Sequence, residues 1–383
     1  MLNWNNFFFV LGLACVVVML LTFDVSFVEL WEHICRAGYW LIPIVGIWIV
    51  VYGINAMAWM SVIKGNTDPD EQVGFWRIYK LTITGYALNY ATPVGGLGGE
   101  PYRIMELSKD MSKQHATSSV ILYAMMHVFA HFWFWFTSVF LYLGLAAVGD
   151  LPFDTTVGIV LAVIIVFCLI AFYLFYRGYR YGLVVRLIRW IGHLPRLKGW
   201  SDRFLQAHSE ALHNVDAQIA ALHQQSRKHF YAALGLEYLS RIVQSSEVLF
   251  MLLLFGLDCG GGFDGITLTF LHSILIVSLT TLLSNLIGFL PMQLGVQEGG
   301  FALSTAAMGL TVEQGFFVSI ICRVREIIWI IIGVLLMKVG NRKDPEASEA
   351  SEASEALEAL EALDASEASE ALEASFVRNK VQS

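Results

Sequence analysis

The sequence predicts an all-α polytopic membrane protein with six or seven transmembrane helices and Pro/Gly-broken re-entrant segments in an inverted-repeat arrangement. Three observations carry that expectation. Of 383 residues, 56% are hydrophobic and only 15% charged, and apolar runs long enough to cross a bilayer recur along the chain. A helix of about 20 apolar residues crosses the roughly 30 Å hydrocarbon layer. Loop charge alternates from connection to connection, and a Pro/Gly-rich segment ending in glutamate occurs twice.

The apolar runs are Phe7–Phe23, Tyr39–Ile63, Ser118–Leu145, Val157–Tyr176, Phe230–Leu254 and Phe316–Val339. A seventh, Ile266–Phe289, leads into Pro291, and the sequence leaves open whether it spans fully or is re-entrant. The first run lacks a basic leader region and a small-residue cleavage site, so it is expected to be retained as a span. The segment Phe75–Leu107 differs, being amphipathic and interrupted by Pro93 and four glycines.

The connection Arg177–Phe230 holds nine bases against three acids, while the connections around Glu29, Asp150 and Asp258 are acidic. The positive-inside rule then puts both termini and the basic loop in the cytoplasm. Residues 1–343 read as a transporter-like membrane domain in a cytoplasmic (inner) membrane, with 177–229 as a basic loop. Leu205, Leu212, Val215, Ile219 and Leu222 make one apolar helical face in that loop. Residues 344–375 carry eleven acids and no base. Their three-residue period drifts around a helix and forms no apolar stripe, so 344–383 reads as a solvated low-complexity tail. The formal charge of −8 comes largely from this tail and says little about partners.

The repeated segments read ATPVGGLGGEPYR and FLPMQLGVQEGGF. Pro93 precedes Glu100 by seven residues and Pro291 precedes Glu298 by seven, with Asn89 and Asn285 upstream. Pro93, Gly95, Gly96, Gly98, Gly99, Pro291 and Gly295 are the expected helix breakers, because Pro and Gly interrupt helical hydrogen bonding. Freed backbone is tolerated at membrane depth only inside protein or beside a wet cavity. Three crossings separate the copies, so they enter from opposite sides, the arrangement of an inverted-repeat transporter.

Ionisable residues inside spans mark the candidate site. Each costs roughly 2.5–3.5 kcal/mol at a helix centre, so it needs a partner or a function. Glu237, Arg241, Gln244 and Glu247 share one span; Arg323, Arg325 and Glu326 share another. Glu237 and Arg241, four residues apart, either neutralise each other or serve a ligand. Arg323 and Arg325 share only one local acid, which leaves one guanidinium for Glu298, Glu100 or an anion. The expected substrate-binding set is Glu100, Arg103, Glu298, Arg323, Arg325, Glu326, Asn89 and Asn285, with Glu237, Arg241 and Gln244 as secondary polar residues. Guanidinium groups bind phosphate bidentately, and an apolar vestibule around them suits a lipid.

His127 and His131 are four apart on one helix face, but no HExxH glutamate lies between them, so core or interfacial histidines are expected over a metal or haem site. The five cysteines show no CxxC spacing. Walker, GxSxG, Rossmann and nucleic-acid motifs are absent from the sequence, and no cofactor and no nucleic-acid partner are expected.

GGLGGEPYRIMEL (Gly95–Leu107) resembles the "GE..R...L" signature of a flippase-like membrane family, also called the transmembrane region of lysyl-phosphatidylglycerol synthases. Phe289–Leu310 resembles its "P...G..E......G" element, and Arg323 with Gly333 its closing "R......G". The resemblance covers roughly residues 5–340 and implies a lipid-translocating domain. Members are linked to aminoacylated phosphatidylglycerol, hopanoid-type lipids and polyprenyl-linked sugars. By motif position it singles out Glu100, Arg103, Glu298 and Arg323. The synthases add a large soluble aminoacyl-transferase domain that this sequence does not contain, so no enzyme activity is expected. The expected function is a lipid flippase, or lipid-binding transporter, for an anionic or zwitterionic lipid, working by alternating access. The alternative is a membrane-embedded enzyme acting on a lipid phosphate through His127 and His131. A lipid-synthesising enzyme is the protein partner the basic loop would recruit.

Overall fold

A computed structural model describes residues 35–66, 73–91, 98–181, 227–256, 262–286 and 295–338. The chain divides into two units, Met1–Met337 and Lys338–Ser383. The run Phe7–Phe23, most of the basic loop, the acidic tail, Pro93, Gly95, Gly96 and Pro291 lie outside the described residues.

The described part is helical throughout. A 3-10 turn at Gly38–Trp40 leads into α1 (Leu41–Asn66). There follow α2 (Phe75–Ala91), α3 (Glu100–Leu107), α4 (Lys113–Ala147) and α5 (Thr155–Tyr181). The remaining helices are α6 (Arg227–Leu254), α7 (Gly262–Leu286), α8 (Val296–Ala307) and α9 (Val312–Leu336). Among the described residues, four helical stretches are long and apolar enough to cross a membrane: Cys35–Gly65, Lys113–Ala147, Thr155–Phe175 and Asp264–Leu286. The chain is therefore a multi-pass α-helical membrane protein. The last stretch makes α7 a 25-residue helix, about 37 Å long at 1.5 Å per residue.

Local sequence explains the boundaries. Pro43 sits in the first turn of α1, where its missing N–H breaks no intrahelical bond. Ser112 caps α4 by accepting the His115 N–H. Thr311 and Gln314 form a reciprocal capping box at the start of α9. Both short helices restart after a break with a glutamate in the first turn, Glu100 in α3 and Glu298 in α8. An acid there offsets the positive end of the helix dipole. Gly295, just before α8, has φ of 78°, a conformation that a β-carbon disfavours.

The packing follows a repeated plan. Helix α2 contacts α3, and α3 contacts α4; likewise α7 contacts α8, and α8 contacts α9. Each helix before a break also packs on the long helix after the other break, α2 on α9 and α7 on α4. The most extensive pair is α1 with α6. Small residues permit the close approaches: Gly333 of α9 leaves no room for a β-carbon beside Ala87 of α2, and Gly315 of α9 none beside α8. At the foot of α2, Arg77 donates to Glu106 at 2.9 Å and Asp110 at 2.8 Å, which fastens α2 to the end of α3. Helix α5 is the contrast. Its Ile159, Val163, Leu169 and Leu174 are exposed, as befits a helix with lipid on most of its surface.

Candidate intramembrane polar site

A cavity of about 460 Å³ opens where the helices flanking both breaks converge. Its wall takes Glu100 and Arg103 from α3, His127 and His131 from α4, and Arg241, Gln244 and Glu247 from α6. From α9 it takes Arg323, Arg325 and Glu326, and Asn89 and Asn285 lie at the ends of α2 and α7. Apart from Glu237 and Glu298, every residue expected to bind substrate or to form the secondary polar set therefore lines one cavity. Glu298 touches it through Arg323, and Glu237 lies behind it, fully buried.

The first break is closed by local bonds. Glu100 Oε1 accepts from Arg103 Nη1 at 2.8 Å, one turn along the same helix. Asn89 reaches across the gap from α2: its Oδ1 accepts the Gly99 N–H at 2.6 Å, and its Nδ2 donates to Glu100 Oε1 at 3.3 Å. Arg103 is only 1% exposed and threads past Gly85, whose missing β-carbon makes its space. Its guanidinium lies 4.8 Å from the Tyr86 ring centroid and 5.5 Å from that of Trp59, so aromatic faces hold the cation where water does not reach.

The second break is closed by bonds between helices. Glu298 Oε1 accepts from Arg323 Nε at 3.0 Å, linking α8 to α9. Arg323 Nη1 also donates to Glu326 Oε2 at 3.1 Å, and Gln297 Nε2 donates to Glu326 Oε1 at the same distance. Arg325 turns to α6, where its Nε donates to Glu247 Oε1 at 2.8 Å and its Nη2 to Oε2 at 3.3 Å. Trp48 of α1 donates to the same carboxylate at 2.9 Å and lies under the Arg325 guanidinium, 3.9 Å from its ring centroid. Asn285, unlike Asn89, donates back to Thr281 O of its own helix and makes no bridge to α8.

The third cluster joins α4 and α6. His127 Nδ1 lies 2.8 Å from Glu237 Oε2, and Arg241 Nη2 lies 2.8 and 2.7 Å from the two ring nitrogens. Arg241 Nη2 is 3.7 Å from Glu237 Oε2, and Nη1 donates to Gln244 Oε1 at 3.1 Å. The i,i+4 pair read from the sequence is thus split by a histidine from the neighbouring helix. His131 contacts the His127 backbone carbonyl through Nδ1, at 3.0 Å.

Sequence reasoning missed three features. Glu247 was recognised as an intramembrane acid but not as the partner of Arg325, because pairing between helices leaves no spacing signal. His127 was read as a core histidine, without the acid on α6 that meets it. Trp48 and Tyr86 look like any aromatic in an apolar run. Among the described residues, no three His, Cys, Asp or Glu side chains are grouped to hold a metal ion.

Chemically, the cavity offers guanidinium donors, carboxylate acceptors and amide groups inside an apolar shell, enough to replace the hydration of a polar headgroup. Residues 9–333 match the model of the family described as lysylphosphatidylglycerol synthase TM region. No curated protein and no solved structure matches the chain.

Proposed function

The chain belongs to the lysylphosphatidylglycerol synthase TM-region family, a membrane lipid-related family, and from that premise we propose that it is a lipid flippase. One observation carries the reading: a single cavity, walled by helices from both broken segments, is lined by Glu100, Arg103, Arg241, Glu247, Arg323, Arg325 and Glu326 inside a largely apolar helix bundle. Buried charge of this density is costly in hydrocarbon and persists where a polar substrate needs it.

The substrate is an anionic or zwitterionic phospholipid whose headgroup enters the cavity while its tails stay in the bilayer. Arg241 and Arg323 hold the phosphate. Glu100 and Glu298 set the position of their arginines and accept from any headgroup amine. Arg103, sheathed by aromatic rings, positions Glu100. The matched order of α2–α3–α4 and α7–α8–α9, with their crossed packing, supports an inverted repeat of six or seven spans. Alternating access then follows from rocking one half against the other. Charge asymmetry of the loops supports a cytoplasmic membrane with both termini inside.

The rival is an enzyme using His127 and His131 for a metal. Both ring nitrogens of His127 face Arg241, a cation that a metal ion would have to displace, which favours the transport reading. Reconstitution tests it. Proteoliposomes should move fluorescent phosphatidylglycerol between leaflets at least tenfold faster than empty vesicles, and Arg323→Ala should remove the gain. Equal rates with and without protein would sink the proposal, and stoichiometric metal lost on His127→Ala would favour the enzyme.

A further inference from the structure

We propose that Glu237, His127 and Arg241 form a proton-binding triplet, and that the proton taken up there lets the cavity accept an anionic headgroup. The inference rests on the lipid-translocation reading and adds its driving force.

The charge count makes the case. In and directly behind the cavity wall, the described residues include the arginines 103, 241, 323 and 325. Against them stand the glutamates 100, 237, 247, 298 and 326. Five carboxylates face four guanidiniums, so the fully ionised cluster is one negative charge in excess. The two break segments, 92–97 and 287–294, contain no ionisable residue, so they do not change the balance. An anionic phosphate entering this cluster would raise the excess to two. Unpaired charge buried in a low-dielectric interior is strongly destabilising, so a cation must enter with the anion. One proton suffices.

Geometry locates that proton. Arg103, Arg323 and Arg325 each hold a carboxylate within 2.8–3.0 Å, whereas the nearest carboxylate to Arg241 is 3.7 Å away. Between Arg241 and Glu237 stands His127. With the ring neutral, its Nδ1–H donates to Glu237 Oε2, and Nε2 is the one ring acceptor left for Arg241 Nη2, which lies 2.7 Å from Nε2 and 2.8 Å from Nδ1. A proton added to Nε2 removes that last acceptor, so Arg241 Nη2 faces an N–H at both ring nitrogens. A proton added to Glu237 Oε2 has the same result. The carboxyl then donates to Nδ1, the ring hydrogen moves to Nε2, and Nε2–H again faces Arg241. Either way, Arg241 is pushed off the ring toward the cavity it already lines, where its guanidinium can take the phosphate. When the lipid leaves on the other side, the proton returns to water and Arg241 returns to the histidine. Among the described residues, the titratable and charged groups facing the triplet are Tyr123 and His131 from α4, Tyr86 and Tyr90 from α2 and Arg103 from α3. None of these supplies a second acid to the triplet.

The test uses the whole protein in vesicles of phosphatidylethanolamine and phosphatidylglycerol, with an acyl-labelled fluorescent phosphatidylglycerol as probe. The membrane potential is clamped and a pH difference imposed. For one proton per lipid, each pH unit should bias the leaflet ratio by up to about tenfold, since a factor of ten in proton activity is about 1.4 kcal/mol. Reversing the gradient should reverse the bias. In Glu237→Gln the ratio should stay at one under either gradient, whatever the residual rate. His272→Asn, which removes the separate His272–Asp150 pair, should keep the response and so report a folded, working protein. Wild type that equilibrates the probe but holds a ratio of one refutes the coupling and leaves translocation standing. A Glu237→Gln protein that still follows the gradient refutes the assignment to this triplet. A folded wild type that moves no lipid refutes both readings.

Discussion

The two broken segments use the same residue types and solve different problems. At the first, glutamate and arginine lie on one short helix, and Asn89 staples that helix to the one before it. At the second, glutamate and arginine lie on different helices, and Asn285 bonds within its own helix. The first break is a compact knot, tied to α2 by Asn89 and by the Arg103 Nη2 bond to Thr82 O and wrapped in the rings of Trp59, Tyr86 and Tyr123. The second is a joint whose ion pairs run through α9 to α8 and, by Arg325, to α6. An ion pair held between helices can change partners when the helices move; one within a single helix moves with it. On the alternating access proposed above, the second break is the half that moves and the first its anchor.

Substitutions can break this contrast, and the largest effect should come from Arg325→Ala. It leaves Glu247 as a buried carboxylate without its cation, which costs roughly 3–5 kcal/mol of stability. Thermal unfolding in detergent should show a sharp loss, and Glu247→Gln in the same chain should recover part of it. A smaller loss is expected of Glu298→Gln, which weakens a charged hydrogen bond between helices by about 1.5–3 kcal/mol. On the proposed alternating access that bond joins moving parts, so transport should slow by roughly ten- to a hundredfold while lipid still binds. Glu100→Gln should slow transport less, since Asn89 still spans the gap. If the order is reversed, the knot and the joint have been assigned the wrong way round.

Gly85→Ala sharpens the comparison from the side of the anchor. Its β-carbon would enter the space of the Arg103 side chain, and overpacking of this kind costs about 1–3 kcal/mol. The melting temperature should fall with little change in gradient response. The asparagines give the smallest and most selective contrast. Asn89→Ala removes the acceptor of the Gly99 N–H and should cost about 1 kcal/mol, whereas Asn285→Ala should leave stability unchanged within error. Equal losses at both positions would mean the breaks are closed alike.

Much of this was legible in the sequence because it is local. The Pro–Glu spacing marked both breaks, the apolar runs gave the long helices, and Arg323 beside Glu326 announced an i,i+3 pair. The segment Phe75–Leu107 was seen as interrupted, and the structure divides it into α2 and α3. What failed to show was pairing between distant elements. His127 meets Glu237 across 110 positions, and Arg325 meets Glu247 across 78, so no periodicity reveals either. Asn89 and Asn285 looked equivalent on the page because residue type does not say which way a side chain turns at a helix end. The excess of acid over base also escaped notice, because the cluster can be counted only after folding has gathered it.

Native mass spectrometry of the purified protein decides whether a lipid headgroup lies among these arginines and glutamates. A phospholipid should be retained on the wild type, with at least tenfold lower occupancy on Arg241→Gln/Arg323→Gln at equal fold stability. Equal lipid occupancy on both proteins would contradict it.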